Sequence, residues 1–274
     1  MHRLFFLGIF LASCEENTQP PVLLSQINGS RTYASVADIP LPQGYLRSSD
    51  SAGSFAYWLR QRPLKKDNTV YLYDGRIKGN QQAQFAVLDI PVGDKDLQQC
   101  ADAVMRLRAE YLFDQKRWDE ISFLATSGQV LSFSRWQQGY RYRLKGQYLE
   151  EYNTSPVQAS ARQNLEQYLQ LVFTYAGTSS LHRQLRKADT GKPLKAGDVF
   201  LQPGFPGHAM LVMDVAEKEG ERIFLLAQSY MPAQDIHIVK NPEDSGLSPW
   251  FKEEDKGRLV TPEWVFEDRP LYRW

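Results

Sequence analysis

The chain has little cysteine and no excess of charge. Its 274 residues include only two cysteines and four histidines, and its 32 basic and 32 acidic side chains give a formal net charge of zero. A surface that binds nucleic acid needs a basic excess, so this balance argues against nucleic acid as a partner. No pair of histidines or carboxylates has the spacing of a metal site, and no glycine loop of the phosphate-binding type occurs. We therefore expect neither a metal nor a cofactor.

The first residues have the pattern of a lipoprotein signal. Residues 1–3 are positively charged, residues 4–12 form an apolar run too short to span a bilayer, and Leu-Ala-Ser-Cys ending at Cys14 matches the lipobox of bacterial lipoproteins. This resemblance implies a signal peptide over residues 1–13 and a lipid on Cys14 that binds the membrane. Residues 14–26 are expected to be a tether and residues 27–274 a single domain. The expected location is the bacterial cell envelope, on its periplasmic or outer-surface face.

A lipid on Cys14 would leave Cys100 as the only free thiol. Cys100 would then have no second cysteine with which to form a structural disulfide. A lone thiol is notable because the cell envelope drives cysteines into pairs. Such a thiol is either a buried core residue or a functional group.

Residues 96–113, which contain Cys100, are predicted to form a helix with one buried stripe. Apolar side chains recur there at three- and four-residue spacing, and Asp96 is the expected N-cap. Cys100 would then lie in about the first helical turn. The positive end of the helix dipole favours a thiolate at that place, and the thiolate is the form that attacks carbonyl groups.

Other helices are predicted mainly in the middle of the chain. Residues 54–62 and 179–186 are expected to form short helices, and residues 161–175 a longer amphipathic one. Residues 117–124 are expected to be a further helix or an extension of the Cys100 helix. The segment between about residues 115 and 190 is therefore predicted to be a helical insertion in the domain.

Strands are predicted on both sides of that segment. Residues 69–73 and 84–90 are expected to form a hairpin that leads into the Cys100 helix. Residues 195–215 contain two apolar stretches around a Pro/Gly loop, with His208 where the second stretch begins, and residues 222–229 form a third. Three consecutive strands with short links predict an antiparallel sheet, and a polar residue at the mouth of each can point into one cleft.

The order of these features resembles the papain-like NlpC-type cell-wall peptidases and amidases. A helix with cysteine near its N-terminus is followed by Gly-Asp opening one strand, a histidine opening the next, and a polar residue on the third. The resemblance implies an α+β papain-like fold, with an antiparallel sheet packed on the helix that carries the cysteine. It also implies that Cys100 is the nucleophile, His208 the general base and Gln228 the residue that orients the imidazole.

The sequence departs from the NlpC-type pattern in three respects. Gln99 precedes the cysteine where those enzymes usually have aspartate, and roughly a hundred residues separate Cys100 from His208. The third position is Gln228, or alternatively Ser229, rather than the commoner histidine. A glutamine can hold one tautomer of the imidazole, but it cannot stabilise an imidazolium as a carboxylate would.

The chain after the tether is also similar to a lipoprotein family of Bacteroidetes-type bacteria. The shared motifs are Gln-Cys-Ala-Asp, Tyr-Ala-Gly-Thr, Gly-Phe-Pro-Gly-His-Ala and Ala-Gln-Ser-Tyr-Met-Pro-Ala-Gln. That family brings no assigned activity, so it does not change the expected chemistry.

The choice of base lies between two histidines. His2 belongs to the predicted signal peptide, and His182 lies among basic neighbours on a predicted helix. His208 is favoured over His237 because the Pro/Gly loop before it keeps its strand end open to solvent.

These expectations lead to two hypotheses of function. The first is an envelope cysteine hydrolase or amidase that attacks an amide or ester bond, with cell-wall peptides as expected substrates and Gln99, Trp136 and Tyr230 as substrate-binding residues. The stretch around Trp136 is alternatively a solvated loop beside the core. The second hypothesis is a non-catalytic lipoprotein that binds a peptide or glycan in the same cleft, with Cys100 merely packed.

Overall fold

The computed structural model describes residues 33–156, 159–189, 191–254 and 256–274. The predicted signal peptide over residues 1–13, the lipidation site Cys14 and the tether over residues 14–26 lie outside the described residues. Within the described ranges, no helix is both long and apolar enough to cross a membrane.

The fold is α+β, as predicted, and strands outnumber helices in the described ranges. The α-helices there are α1 (Phe55–Arg60), α2 (Cys100–Asp114), α3 (Phe133–Gln137), α4 (Ala161–Tyr175) and α5 (Thr178–Gln184), with short 3-10 helices at Val36–Asp38 and Trp118–Glu120. The strands are β1 (Leu46–Arg47), β2 (Gln84–Val87), β3 (Ser122–Leu124), β4 (Val130–Ser132), β5 (Tyr140–Lys145), β6 (Tyr148–Asn153), β7 (Arg186–Lys187), β8 (Val199–Gln202), β9 (His208–Lys218), β10 (Glu221–Gln228), β11 (His237–Val239), β12 (Phe251–Lys252), β13 (Leu259–Val260), β14 (Val265–Phe266) and β15 (Leu271–Arg273).

One nine-stranded sheet organises the domain. Its strands follow the order β2-β11-β10-β9-β8-β15-β7, with β1 paired to β9 and β12 paired to β10. All of these pairings are antiparallel. The predicted antiparallel arrangement of the three strands around His208 is confirmed, because β8, β9 and β10 are neighbours in chain order.

The central strand β9 is buried on both faces. Ala209, Leu211 and Met213 belong to the larger apolar core, which they share with α2 and α4. Met210 and Val212 point the other way, into a second core formed with the C-terminal strands β12 to β14. Because side chains alternate across a strand, the sheet lies between a helical layer and the C-terminal part of the chain.

The helix that carries Cys100 begins later than predicted. Gln99 is the N-cap of α2, so Cys100 is the first helical residue. The prediction of Asp96 as N-cap is wrong: Asp96 Oδ1 instead accepts a hydrogen bond from the backbone N–H of Ala233, 2.7 Å away. The helix is also buried on nearly all sides rather than along one stripe, because β9, α1 and α4 all pack against it.

Two local predictions upstream of residue 130 are wrong. Residues 69–73 do not form a hairpin with residues 84–90; they make only isolated bridges, and β2 pairs with β11 from the far end of the chain. Residues 117–124 form a 3-10 turn and strand β3 instead of a helix, because Phe123 is buried and β3 pairs with β4. A long-range strand pairing overrides the local pattern in the first place, and a short hairpin overrides it in the second.

The segment over residues 115–190 is only partly helical. Within the segment, helix α4 has the predicted bounds and α5 lies within one or two residues of its predicted place. Helix α1, outside the segment, also lies within one or two residues of its predicted place. The segment also contains the β3–β4 and β5–β6 hairpins, so the predicted helical insertion includes strands as well as helices. Alternating tyrosine and arginine residues at the start of β5 satisfy the strand period of two.

Candidate functional site

A cavity of about 470 Å³ lies where the N-terminus of α2 meets the beginning of β9. Cys100, His208, Gln99, Tyr230 and Trp264 all line it. Its volume falls within the range of small-molecule and peptide side-chain sites. The structure therefore brings the predicted nucleophile and the predicted base to one cavity.

The loop before α2 is fixed to the loop after β10. The Ser229 hydroxyl lies 2.8 Å from the carbonyl oxygen of Gln98 and 2.9 Å from that of Gln234. Together with the Asp96 to Ala233 hydrogen bond, these contacts hold the start of α2 against the edge of the sheet. Ser229 thus serves the loop geometry and does not face His208, which leaves Gln228 as the polar partner of the imidazole.

His208 is almost fully buried and bonded through one ring nitrogen. Its Nε2 lies 2.8 Å from Oε1 of Gln228. The Gln228 amide is oriented by its other end, because Nε2 of Gln228 donates to the Glu263 carboxylate at 2.9 Å and a carboxylate can only accept. His208 Nε2 must then carry the hydrogen, which leaves Nδ1 unprotonated and available as a base.

The carboxylate of Glu263 is itself held from behind. Lys78 Nζ lies 2.5 Å from Glu263 Oε2, and both side chains are largely buried. Asn80 donates to the other carboxylate oxygen at 3.2 Å. A continuous hydrogen-bonded row therefore runs from Lys78 through Glu263 and Gln228 to His208.

His237, the rival base, lies outside the cavity lining. It is fully buried, and its Nδ1 lies 2.9 Å from the carbonyl oxygen of Asp235, so Nδ1 carries the hydrogen. Its Nε2 faces the Gln228 amide nitrogen at 3.4 Å. Burial lowers the pKa of His237 to about 3, and the nearby Lys78 charge acts in the same direction. His237 is thus a neutral structural partner of Gln228.

The Cys100 sulfur sits among backbone N–H groups but also in a dry environment. The N–H groups of Ala209 and Ala101 are directed at it and lower the pKa of the thiol. Burial acts more strongly in the other direction and, with the charge of Asp102, raises the pKa of Cys100 to about 11. The expectation that the helix terminus would favour a thiolate in the free protein is therefore wrong.

Burial also keeps the imidazole neutral. It lowers the pKa of His208 to about 4, although the Gln228 hydrogen bond acts in the opposite direction. Between about pH 4 and pH 11, the free protein thus holds a neutral thiol beside a neutral imidazole. Such a pair can react only if the proton moves during the attack, so His208 would be a general base.

Asp102 lies on the same helical turn as the thiol. Its Oδ2 accepts a hydrogen bond from the Gln99 backbone N–H at 3.0 Å, while its Oδ1 is buried with no partner among the described residues. Burial raises the pKa of Asp102 to about 8. The carboxyl is therefore largely protonated at neutral pH.

The three predicted substrate-binding residues are placed differently. Gln99 and Tyr230 line the cavity, and the Tyr230 ring lies 5.2 Å from the His208 ring. Trp136 lies in α3, is buried against Tyr168 and is covered by the Arg141 guanidinium. It does not line the Cys100 cavity, because α3 packs its aromatic face into the core of the insertion.

Three residues of the site were not predicted from the sequence. The Trp264 and His208 ring centroids are 5.0 Å apart, Glu263 accepts a hydrogen bond from the Gln228 amide, and Lys78 donates to Glu263. Trp264 lies between the short strands β13 and β14, in a stretch with no periodic pattern. Lys78 and Glu263 are 185 positions apart, and no local pattern links them.

The side chains at the cavity do not form a metal-binding cluster. Among the described residues, no group of three or more histidine, cysteine, aspartate or glutamate side chains could hold a metal ion. The reactive groups that the chain itself brings to the cavity include a thiol, an imidazole and the backbone N–H groups around them.

Comparison with known proteins identifies the family of the chain. The family model described as "Domain of unknown function (4846)" matches residues 36–273, which is nearly the whole described region. The chain belongs to this family. No curated protein and no solved structure matches it.

Proposed function

We propose that this member of the family of the domain of unknown function (4846) is a cysteine hydrolase or amidase with a papain-like arrangement of catalytic groups. The observation that carries the proposal is that Cys100 and His208 line one cavity while the Nε2 of His208 is bonded to Gln228. A thiol nucleophile needs a base within reach, and the base needs a partner on its other nitrogen.

The proposed reaction starts from the neutral pair. Cys100 Sγ attacks the carbonyl carbon of an amide or ester while His208 Nδ1 takes the thiol proton. The bond to the leaving amine or alcohol then breaks, and His208 returns the proton to the leaving group. Water attacks the resulting thioester, and the carboxylic acid product leaves with the thiol restored.

Backbone N–H groups supply the electrostatic part of the mechanism. The first N–H groups of an α-helix have no partner within the helix, and Cys100 is the first residue of α2. The Ala209 N–H is also directed at the sulfur. Donors in this place can stabilise the negative oxygen that forms on the attacked carbonyl.

The cavity supports a peptide-like substrate. Its walls combine small residues such as Gly177 and Gly207 with the rings of Tyr230 and Trp264, and exposed Phe205 stands at the rim. Lipidation at Cys14 would place this cavity in the bacterial cell envelope, where cell-wall peptides are the available amides. The lipid anchor and the envelope location are part of the proposal.

A non-catalytic binding lipoprotein is the second candidate. It is favoured by the burial of Cys100, which leaves the residue 8% exposed and its pKa near 11. In that case Tyr230 and Trp264 would stack on a peptide or glycan, and the thiol would only fill space.

The pH dependence of acylation separates the two candidates. We would use the full-length chain with Cys14→Ser, so that Cys100 is the only thiol, and measure the release of p-nitrophenolate from p-nitrophenyl acetate. With His208 as general base, the logarithm of the acylation rate should be flat between about pH 6 and pH 9. An unassisted thiol with a pKa of about 11 would instead react about tenfold faster per pH unit over this range.

Two histidine variants complete the test. His208→Ala should lower the rate at pH 7 by about 10²- to 10⁴-fold and restore the pH slope of an unassisted thiol. His182→Ala is the matched control, because His182 bonds Tyr272 outside the cavity. A wild-type rate that already rises with pH, or that is unaffected by His208→Ala, would favour the binding protein.

A further inference from the structure

Gln228, the hydrogen-bond partner of the His208 imidazole, is a neutral amide where a charged group would stabilise an imidazolium better. Gln228 can fix the tautomer of His208, but a neutral amide stabilises the imidazolium formed during attack less than a carboxylate does. The structure contains a carboxylate one hydrogen bond further away, on Glu263. The Gln228 amide bonds this carboxylate at one end and the imidazole at the other.

The geometry couples the two groups through that amide. Glu263 Oε2 accepts the Gln228 Nε2–H at 2.9 Å, and Gln228 Oε1 accepts the His208 Nε2–H at 2.8 Å. An anion bonded to the N–H end of an amide draws positive charge toward that end, so the oxygen becomes more negative and a stronger acceptor. Hydrogen bonds in a row polarise one another in this way in a medium of low dielectric constant.

The surroundings of Glu263 support a charged state. Lys78 Nζ lies 2.5 Å from Oε2 and Asn80 Nδ2 lies 3.2 Å from Oε1, so both oxygens accept hydrogen bonds. His237 Nε2 is 3.9 Å from Oε2 and, as the acceptor of a Gln228 N–H, carries no proton there. Around His208, the titratable neighbours are Cys100, across the cavity, and Tyr230, whose ring packs on the imidazole.

We propose that Glu263 is a positioning residue of the Cys100 site, which stabilises the imidazolium of His208 through the Gln228 amide. This inference rests on the proposed function, because it assigns a role in the proton transfer from Cys100 to His208. It also explains how a chain with glutamine in the third position can support a charged imidazole during the reaction.

The test compares two variants that break the same ion pair. Glu263→Gln removes the charge but keeps the size and an acceptor for Gln228, and we expect it to lower the flat part of the acylation rate by about five- to tenfold, since a charge-assisted hydrogen bond is roughly twice as strong as a neutral one. Lys78→Met removes the partner but keeps the carboxylate. We expect its rate at pH 8 to equal or exceed that of the wild type.

The opposite effects of these variants identify an electrostatic role. If Glu263 acted only through folding, both variants would lower the rate alike, and that result would overturn the proposal, as would no change in Glu263→Gln. Asp214→Asn is the matched control: Asp214 is a buried carboxylate in an ion pair on the same strand as His208, six residues along, or about 20 Å away. It should leave the rate unchanged.

A second variant guards against loss of folding. Glu263→Gln leaves Lys78 buried without its partner, which can unfold the chain. The double variant Lys78→Met/Glu263→Gln removes the pair as a unit and should show the same five- to tenfold loss, about that of the single change. A double variant at the wild-type rate would reject the role of Glu263.

The failure of this inference differs from the failure of the proposed function. If Cys100 is not assisted by His208, the wild-type rate itself rises with pH and His208→Ala has no effect. If only the role of Glu263 is wrong, the wild-type rate stays flat with pH and His208→Ala still lowers it, while Glu263→Gln matches the wild type.

Discussion

Replacing Asp102 by asparagine should change how the stability of the fold depends on pH. Burial raises the pKa of Asp102 from 3.8 to about 8. A carboxyl with a higher pKa in the folded chain than in the unfolded chain stabilises the fold at low pH, and this stability is lost as the pH rises through the folded pKa. An asparagine side chain cannot titrate, so this loss should be absent from Asp102→Asn.

The size of the effect follows from proton linkage. Each pH unit over which only the unfolded chain is ionised costs about 1.4 kcal/mol, so Asp102 should destabilise the wild type by about 2 kcal/mol between about pH 6 and pH 8. His208 and His237 act in the opposite direction, because their pKa values fall from 6.5 to about 4 and about 3. Together they raise the free energy of unfolding by about 2 kcal/mol over the same interval, since the unfolded histidines lose their protons there.

The two contributions should nearly cancel in the wild type. Its free energy of unfolding should be almost constant from about pH 6 to pH 8, while that of Asp102→Asn should rise by about 2 kcal/mol. Urea denaturation followed by tryptophan fluorescence at several pH values measures both curves. Asp119→Asn, an exposed carboxylate change outside the cavity, is the control. Parallel curves for the wild type and Asp102→Asn would refute the raised pKa.

Three further substitutions test the positioning of the site and the anchor. Ser229→Ala should lower the free energy of unfolding by about 1–2 kcal/mol in urea titrations, because its hydroxyl lies within hydrogen-bond distance of the Gln98 and Gln234 carbonyl oxygens and donates to one of them; an unchanged midpoint would contradict this role. Gly207→Ala should displace the loop before His208 and slow acylation, since the added Cβ would lie 2.5 Å from the Gly204 oxygen, whereas Gly79→Ala enters open space and should be neutral. Cys14→Ser should release the protein from the membrane fraction of cells, and unchanged membrane association would reject the lipoprotein prediction.

Elements with a complete local signal were predictable from the sequence. Helix α4 has an amphipathic pattern over its whole length and a Ser160 N-cap that accepts a hydrogen bond from the Gln163 N–H, and its predicted bounds match the structure. Strands β8, β9 and β10 were also predictable, because they are joined by short links and pair in chain order. Their order also sufficed to bring His208 and Gln228 together.

Elements whose partners lie far along the chain were not predictable in this way. Strand β2 pairs with β11, about 150 positions later, so the local hairpin signal of residues 69–90 was misleading. Glu263 reaches Lys78 and Gln228 from a short C-terminal loop with no periodic pattern. A single sequence has no signal for such contacts, because they depend on how whole layers of the fold are stacked.

The protonation state of Cys100 shows why a correct local feature can give a wrong prediction. The thiol does lie at the N-terminus of a helix, where the dipole stabilises a negative charge by about 0.3–1 kcal/mol and rarely by more than about 2 kcal/mol. Burial acts against this: a pKa raised from 9.0 to about 11 corresponds to roughly 3 kcal/mol in favour of the neutral thiol. Since this burial depends on β9 and α4 packing around the start of α2, it could not be read from residues 96–113. Because burial outweighs the helix dipole, the proposed reaction requires His208 to take the proton during the attack rather than before it.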